Sequence, residues 1–318
     1  MIRRPPRSTQ GVSSAASDVY KRQKKYILDG GTGQTLLEKG LKPEGTLWSA
    51  TALINEDFHD LVVETHLDFI NAGADLIVTN NFGVRKRRLL QNNRLDYFES
   101  ANKFAGQLAW KAKELSNKNI LIAGSLPTHA DTYQSRFFNT DEEVHQGFYE
   151  TAAILNPFVD LFYLDVISSV KETRIACEAI KNFNKPVLIG LHFRKNAHLP
   201  SNETIADVVK EIKNYNCCGI IAACVSPEIA KLVLPEFQKQ NITYGFKVNA
   251  FKNIPEDFVI SSKSSSQPTD VLGTLENFTP NIFKNFVEAT ANQGASLLGG
   301  CCEVKPRHIK ALKELQIT

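Results

Sequence analysis

The 318-residue sequence has no apolar run of the roughly 18 residues that a membrane-spanning helix needs. Cysteine is scarce: six thiols in a chain of this length exclude a small disulfide-stapled secreted scaffold. A reducing, cytoplasmic setting with free thiols is expected. A basic stripe is also missing. The first 23 residues hold Arg3, Arg4, Arg7, Lys21 and Arg22 against Asp18, a net of +4, so the formal +3 of the whole chain becomes −1 for the remainder. Nucleic acid is therefore not an expected partner. Methionine occurs once, at Met1, inside the same stretch. Residues 1–23 are Arg/Ser-rich, lack a large apolar cluster and resemble translated sequencing-adapter sequence. They are expected to be non-native or disordered, with the natural start of the protein lost, and 24–318 is expected to be one domain.

What the sequence does contain is a regular alternation. Short apolar runs recur at 25–31 (KYILDGG), 74–81, 119–127, 160–166, 186–193, 219–227, 242–251 and 296–303 (SLLGGCCE). Between them lie stretches with helical spacing, such as 56–72, 142–155, 203–213 and 281–293. Ser226-Pro227 and Thr279-Pro280 read as helix starts, with a capping hydroxyl before a proline. Near-continuous apolar strands alternating with helices imply parallel pairing with both faces covered. Eight such repeats predict a single-domain (β/α)₈ TIM barrel. A doubly wound open sheet is the alternative, but the glycine-rich DGGTGQTLLEKG lacks the acidic residue expected to close the next strand of a dinucleotide site. Segments 81–95 and 251–279 read as long polar loops, the second mobile around SSKSSSQPTD.

In such a barrel the chemistry lies where strands run out into the loops that follow them. Those positions are Asp29-Gly30-Gly31, Thr79-Asn80-Asn81, Ser125 with His129 soon after, Asp165, His192, Cys224, Asn249 and Cys301-Cys302. Cys224 closes strand six, and Cys301 with Cys302 closes strand eight, so all three sulfurs belong to one rim. Three thiolates with a vacant fourth position have the form of a catalytic zinc site, and thiolate softness favours zinc over magnesium or calcium. Gly299 and Gly300 let the backbone approach closely there. The competing reading is three buried free cysteines, a common fate of the residue. Cys217 and Cys218 precede strand six at the opposite rim and read as packing; Cys177 falls in a helix and reads as core.

The stretches DGGTGQTLLEKG, AGADLIVTNNF, AGSLP, CVSPE, NAF and above all GGCCEVKPRHIKAL resemble the homocysteine S-methyltransferases, from about residue 25 to 315. The resemblance implies a (β/α)₈ barrel with zinc held by Cys224, Cys301 and Cys302. It also implies methyl transfer from a small onium donor to the thiol of homocysteine, giving methionine. S-methylmethionine is the first expected donor, because the chain ends soon after the eighth helix whereas the betaine enzymes of the family carry further C-terminal segments; S-adenosylmethionine is the second. Two rivals are a homocysteine-binding module serving a separate corrinoid methyl carrier and a non-catalytic zinc- or thiol-binding barrel. A metal-dependent aldolase is a third, but it would normally present carboxylates and histidines.

This chain departs from the family at strand four, where Asp165-Val166 stands in place of the usual Glu-Thr whose acid meets the homocysteine ammonium. Its first loop reads Thr32-Gly33-Gln34, where a hydrophobic residue, Gly and Thr are frequent. Asp29, Gly30, Asp165 and Asn249 are the candidate substrate-binding residues. For Asp29 and Asn249 a loop-holding hydrogen bond is the alternative. His129 and His192 are expected to be satisfied rim histidines. Trp48 is either a border of the donor site or a core residue.

Overall fold

The computed structural model of the protein describes residues 24–259 and 268–315. Segment 1–23 and most of SSKSSSQPTD lie outside those residues. Eight parallel strands are laid down in chain order: β1 Tyr26–Ile27, β2 Leu76–Val78, β3 Leu121–Pro127, β4 Leu161–Ile167, β5 Val187–Leu191, β6 Cys217–Val225, β7 Tyr244–Val248 and β8 Leu297–Gly300. Each pairs with its sequence neighbour from β2 to β8, and β8 returns to β1. A parallel bridge between Leu28 and Leu76 joins β1 to β2 and closes the ring. The eight apolar runs all become strands, and the fold is the (β/α)₈ barrel.

The principal helix after each strand covers its outer face: α1 His59–Ala72, α2 Phe98–Ser116, α3 Asp141–Leu155, α4 Val170–Ile180, α5 Ile205–Glu211, α6 Pro227–Gln238, α7 Pro280–Ala291 and α8 Pro306–Ala311. Helix starts follow local chemistry. Ser226 and Thr279 each accept a backbone N–H three residues on, with proline in the first turn, and Thr140 and Thr204 form reciprocal boxes with Glu143 and Asp207. Each such cap is worth about 1 kcal/mol.

Two apolar layers result. The outer one, between strands and helices, includes Phe69, Phe148, Phe162, Phe237 and Phe283, all fully buried. The inner one fills the barrel with Leu28, Leu76, Leu161, Leu188, Ile221 and Leu297. The period-2 alternation of a strand divides each apolar run between the two layers.

Three expectations need correction. Segment 81–95 contains a helical turn, Lys86–Gln91, held by Arg88 donating to the Thr46 carbonyl and by Asn92 bridging Thr46 and Arg88. Its basic sequence hid a helix whose partners lie some forty residues upstream. Within 251–279, Pro268–Leu272 is helical and Phe251 pairs with Thr274. Cys217 and Cys218 open β6 rather than preceding it; Cys217 packs against the outer core, but Cys218 is exposed. Cys177 is buried in α4, as expected.

Candidate metal and substrate site

Two irregularities at the upper rim re-aim the side chains that matter. Ile221 and Ala223 face the barrel interior, so regular alternation would turn Cys224 outward. The pairing of β6 with β7 slips between Ala223 and Val225, and Cys224 takes a left-handed backbone conformation with φ +52°. Ala223 and Cys224 therefore both join the inner cluster. The same device operates on β4, where the register slips between Leu164 and Ile167 and Val166 has φ +61°. Left-handed non-glycine residues cost about 1–3 kcal/mol each, and the surrounding packing must hold them there.

Cys301 and Cys302 arrive differently. β8 ends at Gly300, the Cys301 N–H donates to the Val248 carbonyl, and a tight turn returns Val304 N–H to Cys301. The turn curls under β1, and glycine is required there. A Cβ on Gly30 would lie 2.1 Å from the Val304 carbonyl oxygen, and one on Gly31 would lie 2.8 Å from that of Cys301.

The three sulfurs converge. Cys224 Sγ lies 3.7 Å from Cys302 Sγ, Cys301 Sγ lies 4.0 Å from Cys302 Sγ, and all three are within 4.8 Å of one another. Among the described residues this is the one group of three or more His, Cys, Asp or Glu side chains able to hold a metal. A tetrahedral ion bound to sulfur at about 2.3 Å sets its ligands about 3.8 Å apart, so the spacing fits such an ion. Cys224 is the thiol driven toward thiolate. Burial opposes its charge, but hydrogen bonds from Cys301, Cys302, Tyr133 and Asn249 outweigh it.

The sulfurs open into a cavity at the upper rim of the barrel. Asp29, Gly30, Gly31, Gln34, Trp48, Tyr163, Asp165 and Lys247 line it. Asp165, partly exposed to this space, accepts a 2.8 Å hydrogen bond from the Ser125 hydroxyl. Burial pushes its carboxyl up to about 6, against that hydrogen bond and the Lys247 charge. The buried Asp29 carboxylate accepts from Val78 N–H at 2.7 Å and from Lys247 Nζ at 2.5 Å. Tyr133, left-handed at φ +72°, places its hydroxyl 3.2 Å from Cys224 Sγ.

Asn249 is not on the cavity wall. Its Nδ2 donates to the Cys224 carbonyl at 2.7 Å and its Oδ1 accepts from Phe251 N–H, so the amide is spent on holding the strained cysteine and the following loop. His192 packs against the Tyr133 ring, its Nδ1 3.4 Å from the Ala223 carbonyl oxygen, and burial lowers its pKa to about 4. His129 lies away from the sulfurs against Phe148. Trp48 is half-buried at the cavity, where its indole N–H has no hydrogen-bond partner among the described residues.

Sequence reasoning missed Tyr133 and Lys247. Tyr133 sits in a loop with no periodic signal. Lys247 did leave one: it is the lone charge within the apolar YGFKV run.

With the sulfur triad and its cavity defined, comparison with known proteins becomes decisive. The family model for homocysteine S-methyltransferase matches residues 26–315. The chain belongs to the homocysteine S-methyltransferase family. Homocysteine S-methyltransferase 1 of Saccharomyces cerevisiae is 24% identical over 308 residues, covering 90% of this chain and 92% of the yeast protein. Homocysteine S-methyltransferase of Escherichia coli is 23% identical over 309 residues, covering 92% and 95%. Among solved structures, the metallated form of the homocysteine methyltransferase MmuM from Escherichia coli has a TM-score of 0.76 at 19% identity, covering 93% of this chain and 98% of that one, and so shares the fold. The family's activity is enzymatic methyl transfer to homocysteine. In this member of the family the cysteine trio is a set that could bind a metal, and no helix of the described residues is long and apolar enough to cross a membrane.

Proposed function

We propose that the protein is a zinc-dependent homocysteine S-methyltransferase that takes its methyl group from S-methylmethionine and forms methionine. The observation that carries this reading is the convergence of three sulfurs from β6 and the β8 turn on one cavity.

Cys224, Cys301 and Cys302 would hold the zinc. When bound, zinc supplies Lewis acidity that lowers the pKa of a thiol in its open position and keeps it as thiolate at neutral pH. Asp165 accepts from the homocysteine ammonium, one methylene shorter than the usual glutamate. Asp29 and Gly30 form the adjoining wall of the cavity, against which the amino-acid portion would lie. Asn249 stands behind the cysteines, fixing the Cys224 backbone. The homocysteine sulfur attacks the methyl carbon of the sulfonium; the new S–CH₃ bond forms as the old one breaks, and the electron pair departs on the thioether sulfur. The thiol proton is released to solvent as the thiol binds, so the transfer itself needs no general base; His192, packed on Tyr133, is held neutral by burial. Alignment of donor and acceptor in a water-poor cavity supplies the remaining acceleration.

An onium donor suits the aromatic lining of the same cavity. Trp48, Phe82, Tyr133 and Phe258 line it, and aromatic faces attract cations. Both polar atoms of the Gln34 amide and the Trp48 N–H are buried without partners among the described residues, so they are ready to receive the polar head of an amino-acid donor. The test is to incubate zinc-replete protein with homocysteine and S-methylmethionine, S-adenosylmethionine or betaine in turn and to assay methionine. S-methylmethionine should react fastest. Methionine from none of the three would defeat the proposal; methionine from S-adenosylmethionine alone would reassign the donor.

A further inference from the structure

Lys247 has no part in the chemistry above. It points from the next-to-last residue of β7 into the barrel, beside Gly299 of β8 and Ala223 of β6, and is only 5% exposed. Its amine crosses to Asp29 at the end of β1 and borders the same cavity as the sulfurs and Asp165. An ammonium carries three N–H donors. Among the described residues, its one hydrogen-bond partner is Asp29 Oδ1; the Tyr163 ring lies 5.9 Å away. Asp29 has both oxygens engaged, the second by Val78 N–H. The pair is thus lopsided: the acid is satisfied and the base is not. Simple neutralisation does not account for it, because a buried ion pair rarely outperforms apolar residues of the same volume. A buried cation with donors to spare beside a cavity calls for an anionic ligand group.

We propose that Lys247 binds the α-carboxylate of the thiol substrate, so that the site selects an intact amino acid over a plain aminothiol. The inference rests on reading the cavity as the homocysteine site. Homocysteine presents a thiol, an ammonium and a carboxylate, the last two on one carbon. The cavity presents three sulfurs, an acid in Asp165 and a base in Lys247. Charge complementarity assigns each group its partner, and the two salt contacts together fix the Cα. Asp29 positions the amine and keeps it protonated: burial favours losing the proton, but the charges of Asp29, Cys301 and Asp165 hold the lysine above its ordinary pKa.

The test compares homocysteine with homocysteamine, the same molecule with hydrogen in place of the carboxylate. Binding to zinc-replete protein is measured by calorimetry and kcat/KM by product formation. Wild type should prefer homocysteine by about 10- to 100-fold, the range of one charge-assisted hydrogen bond. In Lys247→Met the preference should shrink to about twofold, with homocysteamine little affected. Because that variant leaves Asp29 buried and unpaired, Asp29→Asn/Lys247→Met is measured beside it and should show the same collapse. Asp29→Asn alone should retain most of the preference. Both thiols weakening together in the lysine variants, with the ratio intact, would overturn the proposal, as would zinc loss with an intact ratio, which would assign Lys247 to the thiolates. Equal binding of the two thiols by wild type that still makes methionine would overturn it while leaving the methyltransferase reading intact. Preferential binding of homocysteine without methionine formation would do the reverse.

Discussion

Replacing Asp165 by asparagine separates substrate binding from stability, because the two should move in opposite directions. The carboxylate accepts from Ser125 and borders the cavity of the sulfurs, from where it can meet an ammonium shielded from water. Such a contact is worth about 1.5–3 kcal/mol. Its loss in Asp165→Asn should raise the homocysteine KM about 10- to 100-fold, since 1.4 kcal/mol is a factor of ten. Zinc content should not change. Asp165→Glu should be far better tolerated, as it keeps the charge. Stability should move the other way. The carboxyl is raised from 3.8 to about 6, chiefly by burial. The folded protein therefore holds this proton more tightly than the unfolded chain, and stability falls as pH rises through the window from 3.8 to about 6. Two pKa units amount to about 3 kcal/mol at most. Because the group is partly exposed to the cavity, about 1–2 kcal/mol is the better expectation. Reduced, zinc-free Asp165→Asn should thus exceed wild type by that amount in urea unfolding at pH 7, and the advantage should vanish near pH 4. In turnover, wild-type KM for homocysteine should climb as pH drops, with an inflection at or below about 6. Equal homocysteine KM in wild type and Asp165→Asn would remove Asp165 from the site, and an asparagine variant no more stable than wild type at pH 7 would refute the burial argument.

Changing Cys224, Cys301 or Cys302 to Ala should abolish stoichiometric zinc by metal analysis, whereas Cys177→Ser and Cys217→Ser should keep it. Full zinc and full activity in Cys302→Ala would contradict the assignment. Gly30→Ala should cost roughly 1–3 kcal/mol in denaturant unfolding, because the new Cβ would meet a backbone oxygen at 2.1 Å; an unchanged midpoint would show that the turn can yield. A chain beginning at Lys24 should fold and turn over as the full one does, and its failure to fold would show that residues 1–23 are needed.

Much of the candidate site was legible before folding because strand ends are marked by local composition. Asp29, Asp165 and the cysteines each follow an apolar run, and a barrel brings all such ends to one rim. Asn249 carried the same mark but faces another way: its amide is consumed by Cys224 and Phe251, partners that no spacing rule could name. Tyr133 carried no mark at all, since a loop residue reaches Cys224 only through the path of its loop. The helix Lys86–Gln91 was obscured by its basic run and is held by contacts to Thr46.

What the sequence determined by itself is whatever depends on neighbours along the chain. Apolar runs of strand length became strands, hydroxyl–proline pairs became helix starts, and eight repeats became eight strand–helix units closing on themselves. Only the tertiary structure decided which way the decisive side chains point and what they meet. Cys224 faces the cavity because the β6–β7 ladder slips and its backbone turns left-handed; two-residue alternation alone would have aimed it at the helices. Lys247 is charged inside an apolar strand because Asp29, 218 positions away in the chain, waits across the barrel. Local propensity acts over a few residues, whereas bulges, ion pairs and metal-ligand spacing arise only when distant segments are pressed together by closure of the sheet.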